Sequence, residues 1–403
     1  MSDLPSSSPG GGEGFFAKML GDLLRLMPSG GAMHWQLAYQ LAASSATGDS
    51  ADPNPDPRER LRLEELSKIA ELHVADVTGM QLSPSGRSPR LMPTSRAEWA
   101  RRTLDTWRPV LDRLSGAFQA GPLKLPGDLG AAGEGDEGNQ LEEMLGRWMS
   151  AVTPMMMSMQ VGSAVGQLAQ GALGQYEVPL APAIGDEILV VSVNLARTAE
   201  DWSLPFDDLG LWLCVHEMAH HAVLSRPHVA ERLASLVVAH AEKVRPDPEA
   251  LQQMLEGGAA MSDPAAMLEL LGDPAALGGT IESEELRRLR AELDALTATI
   301  SGYAEHVTAV VAKRLIGGHA PIGEAMRRRR VGRGAGEKMA EQLFGLSLDQ
   351  DQVDRGERFV TGVLDRSGDA ELARLFLDAE SLPTPAEVDA PGLWLARLGL
   401  DEE

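Results

Sequence analysis

The chain has 403 residues, a formal charge of −23 and 43% hydrophobic residues. That length and apolar content suffice for a sizeable core in one large or two moderate domains, and the acidic balance argues against a nucleic-acid partner, because a phosphate backbone needs a basic footprint. The single cysteine, Cys214, excludes an internal disulfide framework and fits a reducing, cytoplasmic setting; inside an apolar run it reads as a buried structural thiol.

Residues 1–14 are rich in Ser, Gly and Pro, with no basic segment followed by an apolar one, and read as a disordered tail rather than a signal peptide. Amphipathic helices are expected over 15–27 and 35–46, then a Pro/Asp linker over 52–58. Helical periodicity over 61–77 ends near Gly79. Ser95 with Glu98 three residues later is a capping box that opens a helix through Trp99 and Trp107 to about Phe118. Residues 124–142, acidic and glycine-rich, read as a flexible loop. The Met-rich helix that follows, 149–174, carries Gln160, Gln167 and Gln170 around its circumference, so it does not face lipid and no membrane span is expected. Its Gly162 and Gly166 serve close helix packing, and Met155 to Met157 read as adaptable core.

Residues 187–193 are the strongest strand signal in the chain. Residues 246–280 look like a flexible insertion, 282–311 like a long helix, and 336–366 and 370–400 like closing helices. Arg327 to Arg330 read as a solvated helix end pairing with carboxylates, and the glycines from Gly332 to Gly336 as a turn.

The chemistry-bearing run is His216-Glu217-Met218-Ala219-His220. Residues four apart share a helix face, so both imidazoles can point at one metal ion, while Glu217 can reach a metal-bound water. Asp207 and Asp208 are the expected N-cap region and Pro227 a natural stop. The strand before this helix would suit an extended peptide, paired along its edge. His221, His228 and His240 are expected in capping or surface roles. The residues predict a zinc-dependent hydrolase, a metallopeptidase with Glu217 as general base.

Several segments together resemble a family of bacterial zincin-like hydrolases, some associated with biosynthesis of a deazaflavin cofactor. They are Leu173-Gly174-Gln175-Tyr176 with Pro179, Val193-Asn194, Leu211-Trp212 with the H-E-x-x-H run, Ser301-Gly302-Tyr303-Ala304-Glu305-His306-Val307, Gly356-Glu357-Arg358-Phe359-Val360, and Leu382 to Glu387 ahead of Trp394. The resemblance implies a mainly α fold with a small β-sheet (α+β), a zincin-like metalloprotease core of gluzincin type with additional N- and C-terminal helices. In domain terms it implies a helical region over 15–123, the loop 124–142 and the zincin-like domain over 143–403. It further implies a Zn2+ site in which Ser301 stands where the family has a ligand Glu, and Ala309 near where it has an Asp. Serine is a poor zinc ligand. Three outcomes stay open: Glu305, on the same helix face as Ser301, substitutes as ligand; His306 does so; or the site is degenerate and the fold persists as a scaffold or interaction protein. In a live site Tyr303 or His306 would donate to a developing oxyanion, with a core role as the plainer alternative for Tyr303. The expected partner is a peptide or protein substrate.

Overall fold

The computed structural model describes residues 33–48, 51–120, 136–180, 183–244, 283–332 and 334–400. The expected tail, the helix over 15–27 and the insertion over 246–280 lie outside the described residues. Helices α1 (Trp35–Thr47) and α2 (Pro57–Thr78) come first. Asp56 caps α2 in a reciprocal box with Glu59, and Gly79 ends it in the left-handed conformation at φ 63°, which a residue without a Cβ adopts at no steric cost. Strand β1 (Arg90–Thr94) and α3 (Arg96–Ala120) follow, and Ser95 accepts the Glu98 N–H at 3.3 Å as its sequence suggested.

Helix α4 (Asp136–Gly171) begins inside the stretch expected to be a loop over 124–142; residues 124–135 of that stretch are not described. Gly162 and Gly166 let α4 lie directly on α1. A Cβ at Gly162 would stand 2.6 Å from the Ala38 carbonyl oxygen, and one at Gly166 2.7 Å from that of Ala42. Met157 is buried beside this seam.

Strand β2 (Glu187–Val191) runs directly into α5 (Ser192–Asp201), so the strand is two residues shorter than its pattern suggested. It pairs in parallel with β1, Arg90 opposite Glu187 through Thr94 opposite Val191. Parallel strands need a long crossover, and α3 and α4 supply it. The other edge of β2 is occupied as well. Val190 bridges Gly174 in antiparallel fashion, the Val191 N–H donates to the Leu173 carbonyl at 2.9 Å, and the Leu189 N–H to Gln175 Oε1 at 3.2 Å. The expectation of an open edge for an extended peptide is therefore corrected: the chain's own segment 173–175 fills it.

Helix α6 (Phe206–Leu224) carries the H-E-x-x-H run. Its N-cap is Pro205 rather than Asp207 or Asp208, which sit in the first turn where carboxylates favour the helix dipole. It stops at Leu224, and Pro227 is the first residue of the next helix, α7 (Pro227–Lys243), not the stop itself. Beyond come α8 (Glu284–Leu315), α9 (His319–Val331), α10 (Ala335–Phe344), α11 (Gln350–Ser367), α12 (Asp369–Leu372), α13 (Pro385–Asp389) and α14 (Pro391–Leu400). The architecture is mainly α with a two-stranded sheet among the described residues. No described helix is long and apolar enough to cross a membrane.

One apolar core runs through these elements. α6 lies at its centre, against α2 and α8 and in contact with α5, α7, α9 and β2. Residues 209–224 are all buried except His216. A helix apolar all round belongs inside, so the one position that breaks the pattern faces a cavity.

Candidate functional site

The cavity measures about 110 Å3 and is lined by, among others, Tyr176, Trp212, His216, Glu217, His220 and Ser301, with Arg329 and Arg330 from α9. The two histidines of the motif are brought together as their spacing requires, with ring centroids 4.5 Å apart. Trp212, one turn earlier on α6, stacks on His216 at 4.9 Å, and Tyr176 stacks on His220 at 5.9 Å. His220 Nδ1 lies 3.0 Å from the His216 carbonyl, which fixes the proton on Nδ1 and leaves Nε2 as the ring's lone-pair nitrogen. Burial, and then the neighbouring His216, push His220 well below the usual histidine range, so it is neutral.

Glu217 is 2% exposed and accepts the Tyr176 backbone N–H on Oε2 at 2.9 Å. A Cβ at Gly174 would fall on that carboxylate, so the missing side chain at 174 is what lets the segment pass over the motif. Trp99 holds the same segment from the other side, its indole N–H donating to the Gly174 carbonyl at 2.8 Å. The Tyr176 hydroxyl meets His221 Nδ1 at 2.6 Å. His221 is fully buried, not the capping or surface residue its sequence position suggested, and burial pushes it down to about 4.

The arginine run pairs with carboxylates as expected, but two of its members face the cavity rather than solvent. Arg328 pairs with Glu324 one turn back. Arg329 holds Glu177 at 2.6 Å and the Gly171 carbonyl at 2.8 Å. Arg330 grips Glu305 with both terminal nitrogens, each 3.2 Å from one carboxylate oxygen. The sequence signal that places them was available: Ile322, Ala325 and Met326 form the buried face of α9, and 329 and 330 continue that face by one turn.

Glu305 approaches the motif as far as one contact. Its Oε2 lies 3.9 Å from His216 Nε2, and that same oxygen accepts from Arg330. Burial works to raise Glu305, but Arg330 and His216 outweigh it and hold the carboxyl below its usual range. Ser301, one turn earlier, is the α8 residue that lines the cavity. Tyr303 and His306 do not line it. Tyr303 packs edge-on against Phe376 at 5.2 Å in the core, and burial pushes it up to about 12. Burial lowers His306, opposed by the charge of Asp369. The geometry does not bring either to a reacting group, because on α8 they project to other faces than 301 and 305.

The profile of the zincin-like metallopeptidases matches residues 33–395. The chain belongs to that family. No curated protein matches the chain. The crystal structure of a protein from Chloroflexus aurantiacus, described as a candidate hydrolase with a novel fold, is similar with a TM-score of 0.61 at 22% identity. The match covers 91% of this chain and 99% of that one.

Zincins hold their metal with residues from a helix such as α6 and a third ligand from elsewhere. The residues of this zincin-like chain do not fit that demand. Among the described residues, no group of three His, Cys, Asp or Glu side chains is placed to hold a metal. Both oxygens of Glu305 are engaged by Arg330. His216 Nδ1 is buried with no hydrogen-bond partner, whereas a metal-ligating histidine ordinarily donates its second nitrogen to an orienting acceptor.

Proposed function

We propose that this chain is a catalytically degenerate member of its family, a zincin-like scaffold or interaction protein that does not perform metal-dependent hydrolysis. The observation that carries the reading is the state of Glu305. A catalytic zinc takes three protein ligands and one open position, and the carboxylate that faces His216 Nε2 is gripped at both oxygens by a guanidinium. Ser301 adds only a hydroxyl. Glu217 then holds the 173–176 segment in place through the Tyr176 N–H, a structural use of the motif's glutamate.

The second reading is a zinc-dependent metallopeptidase acting on a peptide, with His216, His220 and Glu305 as ligands and Glu217 as general base. The 3.9 Å approach of Glu305 to His216 favours it. Metal analysis of the full chain purified without chelators, run beside a peptide-library hydrolysis assay, separates the two. The scaffold reading expects less than about 0.1 zinc per chain and no hydrolysis above the E217Q background. Stoichiometric zinc, with hydrolysis lost in E217Q while the metal is retained, establishes the metallopeptidase instead.

A further inference from the structure

We infer that Arg330 is the resident cation of this cavity, standing in for the metal of a zincin site. The inference rests on the scaffold reading and deepens it. Arg330 lines the cavity and Glu305 does not, although the two are joined by a two-pronged ion pair. Arg330 thus brings its charge to the cavity wall, and the oxygen that faces His216 Nε2 at 3.9 Å is one of the two it engages. A metal ion approaching the histidines would meet a fixed positive charge and find each oxygen of Glu305 already accepting a hydrogen bond from that charge.

Charge explains why this replacement is stable. Glu305 is largely buried and has a second carboxylate near it, Glu357, whose own acidity is weakened by burial and by Glu305. Buried carboxylates need a counter-charge. A dication with a glutamate at position 301 and an arginine at 330 with a serine at 301 contribute the same net single positive charge. Ser301 is the α8 position that lines the cavity together with His216 and His220, so a carboxylate placed there would share the cavity with both imidazoles. The pair Ser301 and Arg330 therefore forms one unit, and changing either half alone leaves the cavity unable to take zinc.

The test is zinc affinity of the full chain by competition with a chromophoric chelator, in wild type, S301E, R330M and S301E/R330M, with folding checked by circular dichroism. The expected pattern is weak binding in wild type and both single variants, and binding about 100-fold tighter than S301E in the double variant. Zinc should raise the melting temperature of the double variant alone, and EDTA should reverse the rise. Equal affinity in S301E and S301E/R330M overturns the role of Arg330, as does a folded double variant that remains weak. Tight zinc binding by wild type is a different result: it defeats the scaffold reading on which the inference stands. Should R330M not fold, R330Q removes the charge and keeps a hydrogen-bond donor for Glu305. S301E/R330Q is then expected to bind more tightly than S301E, and no gain overturns the proposal.

Discussion

A methyl group at Gly174 would land on the Glu217 carboxylate, while the Tyr176 N–H two residues on donates to that same carboxylate. The two positions are thus coupled through one small volume. G174A is expected to cost about 2 kcal/mol, in the range of overpacking a closed core, and to do so mainly through Glu217. In an E217A background the added methyl has room, so the cost of G174A should fall by more than about 1 kcal/mol in a double-mutant cycle followed by denaturant unfolding. Strictly additive losses would show that the clash is relieved elsewhere. The coupling also shows what the sequence revealed at this scale. Periodicity put His216 and His220 on one face, and the structure brings their rings to 4.5 Å, tilted by 53°. What periodicity could not reveal is what meets that face from afar in the chain: Tyr176 from the short 3-10 turn Gln175–Glu177, and Arg330 from α9. Tyr303 and His306 illustrate the converse error, since nearness in sequence to Ser301 carries no information about helix face.

At the scale of elements the helices were read well and the sheet poorly, for physical reasons. Most helices here announce themselves by caps, as with Asp56 and Glu59, or by apolar faces. Strand β1 contains Pro93, a residue that usually argues against a strand, and it is tolerated because β1 pairs with β2 on one side only: the Arg90 N–H points to β2, so the nitrogen of Pro93 points away from it. The register of β1 on β2 depends on a crossover through α3 and α4, which no local pattern encodes. The last two helices, α13 and α14, are tied by a charged knot. Thr384 caps α13 in a reciprocal box with Glu387, whose carboxylate accepts from Arg397 of α14 at 2.6 Å. Burial works to raise Glu387, but Arg397 and Thr384 outweigh it and hold the carboxyl below its usual range. A carboxyl depressed in the folded state binds fewer protons folded than unfolded. It adds stability above its unfolded value of about 4.3 that disappears as pH falls through the folded one. E387Q should therefore cost about 2 kcal/mol at pH 7 and flatten the acid limb of stability between about pH 5 and 3 relative to wild type. An acid limb of unchanged slope in unfolding curves across that range would place the linkage in other carboxylates.

In the whole molecule, the motif sits at the centre of the packing. α6 is the hub of the core, packed against α2 and α8 and touching α5, α7, α9 and β2, with residues 209–224 buried except for His216. In a metal-dependent fold the ligand helix would owe part of its stability to the ion, and removing the ion would loosen that helix first. Here the ion pairs of Arg330 with Glu305 and Arg329 with Glu177 already tie α9 to α8 and to the segment over the motif, and the apolar burial of α6 is complete without a ligand. The amides of Leu209–Leu224 should consequently exchange with deuterium only through global unfolding, at the slowest rates in the chain, and with the same protection in EDTA as in zinc. Hydrogen exchange followed by mass spectrometry reads this directly. Loss of protection confined to this helix on adding chelator would mean that a metal, not packing and paired charge, holds the centre of the molecule together.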